Sequence, residues 1–250
     1  MDYKKLILSA VASCSLLSGA ENVEESSWKY DIQLYMLAVW IKGDSQMGPA
    51  RQKFDVDVTP SDIFSNLKMG AMAHIEAHQD KGFGVWFDYA FMNLGMDASL
   101  VNGSLGVYQG ILEGFATYKV PLKVGTLDYF GGVRWWHNDF DLSYAVLNTT
   151  GSVSKTVDWY DPVIGVRWTY PFAKNWSFKA RGDIGGFGLA SDFTSVVEAG
   201  VMYDITQSWQ VDMRFKSLWV DYEEGTEGKR DRFTYKTVNY GPIIGITYRF

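Results

Sequence analysis

The chain closes on Tyr240-Gly-Pro-Ile-Ile-Gly-Ile-Thr-Tyr-Arg-Phe250, and in this run every second residue is apolar or aromatic: Tyr240, Pro242, Ile244, Ile246, Tyr248, Phe250. Gly241, Gly245, Thr247 and Arg249 lie between them. Successive side chains of a strand point to opposite faces. A strand written this way has one apolar face for lipid and one face suited to a polar lumen. It places a chain in a membrane without a transmembrane helix.

The same alternation recurs along the sequence and predicts ten strands, with eight or twelve as the alternatives if the segment 42–66 reads differently. They fall at about 28–41, 67–78, 83–95, 106–119, 126–141, 156–170, 176–187, 194–205, 209–221 and 235–250. The connections after the second, fourth, sixth and eighth strands are short, and most of the others are longer. Short turns at one end and long loops at the other are the habit of an antiparallel up-and-down transmembrane β-barrel, and an even strand count leaves both termini on the turn side, the periplasm. The fold class is therefore all-β. In the first long connection, Thr59-Pro-Ser-Asp62 has an N-cap threonine, proline at N1 and an acid at N3, and Ile63, Phe64 and Leu67 follow at helical spacing. A helix of one or two turns is expected there, packed on the barrel rim or folded into the lumen as a constriction.

Only one long apolar run exists, Leu6 to Leu17, preceded by Lys4 and Lys5 and followed by Ser18-Gly-Ala20. It is too short to span a bilayer, which takes about 20 apolar residues. It has the form of a signal peptide over 1–20, leaving 21–250 as a single barrel domain. Val11-Ala-Ser-Cys14 also fits a lipoprotein cleavage box. Cys14 is the only cysteine and leaves with the leader, so a mature chain has no disulfide and no thiolate ligand. Net charge is −6 for the whole chain and −7 without the leader, and no basic stripe runs through it. Nucleic acid is not an expected partner. Aromatic residues make up 16 % of the chain, far more than a soluble core needs, yet mean hydropathy is only −0.12. Girdles of Trp and Tyr at two membrane interfaces account for both.

The same alternation sends charge to the inner face. Asp31, Glu76, Asp88, Glu113, Asp161, Asp183, Glu198 and Asp212 face inward, as do Arg134, Arg167, Lys179, Arg181, Arg214 and Lys216. The signs nearly balance, and unpaired charge in a narrow interior is costly. Arginine–carboxylate forks are the natural arrangement. A barrel of ten strands is near the size at which side chains just fill the interior, so these charges make either a bracing salt-bridge network or the lining of a narrow water-filled pore. Arg167 is expected to pair with Asp161 or Asp183.

Two histidine groups carry weaker chemistry. His74, Glu76 and His78 share one strand face, a thin basis for a metal, and no metal or cofactor is assigned. His137 precedes Asp139 and Asp141 at the outer end of the fifth strand, where it could activate a water in a protease or lipid-modifying enzyme. No nucleophile motif accompanies it, so no catalytic residue is assigned. Gly182, Gly185, Gly186 and Gly188 around Asp183 lack the spacing of a phosphate loop and read as close backbone approach or curvature.

Four segments together resemble a family of bacterial outer-membrane β-barrel proteins, mostly uncharacterised: Val56-Asp-Val-Thr-Pro-Ser-Asp-Ile-Phe-Ser-Asn-Leu67, Asp158-Trp-Tyr-Asp-Pro-Val-Ile-Gly-Val-Arg167, Arg181-Gly-Asp-Ile-Gly-Gly-Phe-Gly188 and Gly241-Pro-Ile-Ile-Gly-Ile-Thr-Tyr-Arg-Phe250. The closing Phe250 resembles the sorting signal of such barrels. The resemblance implies an integral outer-membrane location, outer-membrane lipid and lipopolysaccharide as surroundings, and recognition of the last strand by the barrel-assembly machinery. It implies no particular activity. The residues leave a structural or surface-interaction barrel and a narrow diffusion pore as the readings, with an enzyme at the outer rim as the competing class.

Overall fold

The computed structural model describes residues 28–48, 53–98, 103–146 and 149–250; the leader expected over 1–20 lies outside them. The strands are β1 (Trp28–Leu37), β2 (Trp40–Met47), β3 (Phe54–Val58), β4 (Leu67–Gln79), β5 (Phe83–Ala98), β6 (Gly103–Pro121), β7 (Thr126–Val146), β8 (Thr149–Ala173), β9 (Trp176–Gly185), β10 (Phe193–Asp204), β11 (Trp209–Glu224) and β12 (Phe233–Arg249), with one helix, α1 (Pro60–Asn66), between β3 and β4. β1 and β2 are two lengths of a single stave. Both pair with β12 in one register, Leu37↔Ile243 and Trp40↔Tyr240, and Ala38 N–H donates to Pro242 O between them at 3.1 Å. From β4 onward each strand pairs antiparallel with the next, and β12 closes on β1. The barrel thus has ten staves. The segment after residue 41 extends the first stave and adds β3, which among the described residues pairs only with β2.

The last residue fastens the closure. Phe250 N–H donates to Tyr30 O at 3.0 Å, Tyr30 N–H donates to Phe250 O at 3.1 Å, and the two rings stack with centroids 5.6 Å apart.

Period two holds around the wall. Ile32, Leu34, Met36, Phe87, Val133, Ile164, Val197, Met213, Phe215, Ile244 and Ile246 point outward and are exposed. An apolar surface that encircles the molecule has no place in water; it is the lipid face. Aromatic rings bound it. Trp135 stacks on Tyr160 toward the loop end, and Trp168 stacks on Tyr170 toward the turn end. Tyr160 and Tyr170 are ten positions apart on β8; at about 3.3 Å per residue and a tilt of about 40° that is roughly 25 Å, the height of a membrane belt. Among the described residues no helix is long and apolar enough to cross a membrane; the strands cross it.

Two loop-end connections are largely strand. β5–β6 and β7–β8 run on as tall hairpins above the aromatic girdle, so the fifth and sixth expected strands are longer than their apolar alternation. The seventh is shorter. β9 stops at Gly185 because Gly186, Phe187 and Gly188 adopt left-handed φ values of 83°, 53° and 69°, which turn the chain inward.

α1 begins with the capping box that its sequence spells. Asp62 N–H donates to the Thr59 hydroxyl oxygen at 3.3 Å, and Thr59 N–H and hydroxyl donate to Asp62 Oδ2 at 2.9 and 2.6 Å. Those donors hold the Asp62 carboxyl below its ordinary 3.8. A depressed carboxyl stabilises the helix above its unfolded pKa and stops doing so as pH falls through the folded one. Protection of the amides of residues 62–66, taken against their intrinsic exchange rates, is therefore expected to hold down to about pH 4 and to fall below it, while that of the strand amides is kept. A helix protected equally at neutral and strongly acid pH would contradict this.

Candidate functional site: a braced lumen

The inner face carries three bands from the turn end upward. The lowest surrounds an open vestibule of about 520 Å³. Asp31 stands beside Glu76 across β1 and β4 at its rim, and His78 and Lys179 also line it. At its roof Arg167 donates to Glu76 through Nη1 and Nη2, at 2.7 and 2.6 Å, and to Asp128 through Nε at 2.7 Å. This corrects the expected partners of Arg167. Asp128 is its neighbour across the β7–β8 ladder, whereas Asp161 is six residues farther up the same strand, about 20 Å along it. Asp128 joins the charges expected on the inner face, and its alternation with Arg134 along β7 is the signal that places it there.

The middle band is buried. Arg134 is 0 % exposed. Its Nε donates to Glu113 at 2.7 Å, its Nη2 to both oxygens of Asp183 at 3.0 and 3.1 Å, and its Nη1 to the Thr194 hydroxyl at 2.8 Å. Arg181 holds the same two acids, with Nη1 on Glu113 Oε2 at 2.9 Å and Nη2 on Asp183 Oδ2 at 2.6 Å. Two guanidinium groups and two carboxylates thus close a charge-balanced square. The Arg181 guanidinium lies 4.8 Å from the Trp86 ring centre and 5.3 Å from that of Phe130, in an aromatic nest completed by Phe115. Gly165 makes this possible, because a methyl group there would strike the Phe130 ring and the Asp183 side chain. The second cluster centres on Arg214, which donates to Glu198 and Asp212 at 2.6 Å each and to Gln33 at 2.9 Å. Asp88 accepts from the Tyr35 hydroxyl at 2.7 Å and faces His74 Nδ1 at 3.3 Å. Lys179 and Lys216 form no ion pair among the described residues; both border a chamber of about 30 Å³ at the centre of the network.

Asp161 has no cationic partner among the described residues. It is 0 % exposed and takes its hydrogen bonds from neutral donors: Ser191 N–H at 2.9 Å, the Ser191 hydroxyl at 2.7 Å and Trp159 Nε1 at 3.1 Å. Ser191 comes from the connection that the left-handed residues bend into the barrel mouth. Around it lies the third band, which the inward charges alone do not announce. Trp136, Val157, Trp159, Val196, Leu218, Val220, Tyr222, Phe233 and Tyr235 form a buried apolar cluster across the lumen. Trp159 stacks on Tyr222 with centroids 4.0 Å apart and on Trp136 at 5.3 Å. Their phase announced them: Trp136 alternates with Arg134 and Trp159 with Asp161, so each points inward.

The histidines resolve differently. His74 sits between Asp88 and Glu76 on the Trp86 ring, and among the described residues no group of three His, Cys, Asp or Glu side chains is arranged to hold a metal. His137 points outward just above the girdle. Its Nδ1 contacts Asp158 at 2.6 Å and its Nε2 contacts Asp139 at 3.0 Å. The second acid comes from the neighbouring strand and not from Asp141, because His137 and Asp158 are cross-strand partners.

No family model matches the chain, and no curated protein matches it. Solved structures that resemble it are bacterial outer-membrane barrels. The translocator domain of the autotransporter NalP from Neisseria meningitidis is 13 % identical, covers 100 % of this chain and 95 % of its own, and gives a TM-score of 0.44. A major outer membrane protein from Thermus thermophilus is 16 % identical, with coverage of 90 % and 100 % and a TM-score of 0.43. The attachment invasion locus protein Ail of Yersinia pestis is 10 % identical, with coverage of 90 % and 99 % and a TM-score of 0.35.

Proposed function

We propose that this integral outer-membrane β-barrel is a closed, non-catalytic barrel whose work is done at its outer hairpins, and that it is not a diffusion pore along its axis. One observation carries the reading. An ion travelling up the lumen meets the Arg134–Glu113–Arg181–Asp183 square and then the Trp136–Trp159–Tyr222 stack. The first barrier ties its four charges to one another, and the second fills the bore with rings packed on one another. The His137 site supports the non-catalytic part. Both of its ring nitrogens are engaged by carboxylates, so neither is free to take a proton from a bound water. The loop end would face the exterior among lipopolysaccharide, and β12, with its closing phenylalanine, is the strand that the assembly machinery would read.

Refolded protein, its closure verified by heat-modifiable gel mobility, is expected to give no steady single-channel openings in a planar bilayer. Reproducible openings of one size would overturn the reading and assign a pore.

A further inference from the structure

The barrel wall has a seam. β1 pairs with β4 only from Trp28↔Gln79 to Leu34↔Ala73. Higher up, the exposed edge of β2 is taken by β3, from Ile41↔Val58 to Ser45↔Phe54. Between these stretches residues 35–40 and 67–72 stand on facing edges with no backbone pairing between them among the described residues. Unpaired strand edges are costly inside a bilayer and persist where something else lies against them. α1 straddles this place. Ile63 is buried against Val39, Ile41 and Leu94 on the inner side, while Phe64 stays exposed and borders an apolar depression of about 460 Å³ on the lipid side, with Leu34, Met36, Ile244 and Ile246.

Directly behind the seam is a chamber of about 60 Å³. Its walls are Leu37 from one lip, Met72 from the other, and Val39, Ile41, Met92 and Ile111; its floor is the charged band at Asp88, Glu113 and Lys216. Tyr35 borders both the chamber and the outer depression, so only the lip separates them. Size selects the occupant. A dry cavity of about 150 Å³ takes a benzene ring, and this one is less than half that, too small for a ring and large enough for the end of a chain.

We propose that the seam binds the end of an unbranched hydrocarbon chain, entering sideways from the bilayer with its terminal carbons in the chamber and the next ones in the depression under Phe64. The chain belongs either to a lipid of the surrounding leaflet or to a single-chain lipid. The proposal does not rest on the axial seal, and conductance of either outcome leaves it standing.

The test uses the full barrel in nanodiscs, with two probes whose terminal methyl is deuterated: stearate, and a phosphatidylcholine labelled on one acyl chain. Deuterium NMR reads the fraction whose chain end is held. Wild type is expected to hold at least one probe. Ala90→Leu, which fills the chamber opposite Met72, should weaken that binding about tenfold, the worth of two buried methylenes. Held phosphatidylcholine assigns a bilayer lipid, and held stearate alone assigns a single-chain lipid. No held fraction for either probe, or the same fraction in folded Ala90→Leu, overturns the proposal. Should Ala90→Leu not fold, Phe64→Ala decides: removing the outer cover should speed exchange of the bound probe, and unchanged exchange overturns the proposal.

Discussion

Arg134→Ala is expected to cost the folded barrel about 3–5 kcal/mol, the scale for removing one partner of a buried pair. The side chain is fully enclosed and serves three acceptors, Glu113, Asp183 and the Thr194 hydroxyl. Without it, two carboxylates share Arg181 alone, and the square goes from balanced to a net negative charge far from water. The companion change Arg167→Ala should cost less. Arg167 also bridges two acids, Glu76 and Asp128, but they border the open vestibule, where water can take over part of the hydration. The urea midpoint of refolded protein measures both. A larger loss for Arg167→Ala than for Arg134→Ala would show that the vestibule does not hydrate its acids.

Trp159→Ala is expected to be comparably damaging, at about 3–5 kcal/mol for loss of a large buried aromatic and the cavity left behind. The indole is 3 % exposed, stacks on Tyr222 and Trp136, and gives its N–H to Asp161. Its removal also takes one of the donors from a buried carboxylate that has no cation beside it. Conductance, however, should remain absent, because the charge square beneath is untouched. The pair of results separates the two barriers: a single aromatic loss lowers the urea midpoint and leaves the bilayer silent. If Trp159→Ala alone produced steady openings, the lower charge band would not be a barrier.

The wall was legible because each strand is lipid on one side and lumen on the other, which writes period two strongly into the sequence. Leu34, Ile164 and Ile246 were readable as outward, and Asp128, Arg134 and Arg167 as inward, from phase alone. The partner of each charge was not. Pairing depends on strand register and on how far the barrel twist carries one wall past another, which is why Arg167 reaches Glu76 on the far wall as well as its neighbour Asp128. The aromatic band escaped for a different reason. Trp136 and Trp159 are apolar residues at lumen-facing positions, and a scan for charge at those positions passes over them. The capping box over Thr59–Asp62 was local, and therefore readable, but the place of α1 at a gap in the wall depends on where β1–β4 pairing stops, and no local signal marks that.

The hydrogen bonds between Tyr30 and Phe250 join the first described stave to the far end of the last one. Every length of the polypeptide that ends before β12 therefore has two unfinished sheet edges, and none can close into a smaller barrel with the same neighbours. Assembly must wait for β12, and an edge left open in the meantime is a template for pairing with another molecule. Contacts this remote in sequence also make for slow folding. Phe250 adds the last two hydrogen bonds of a ladder that already runs from Leu37↔Ile243 to Asp31↔Arg249, so the ring shuts from the middle of β12 outward and the terminal phenylalanine locks its end.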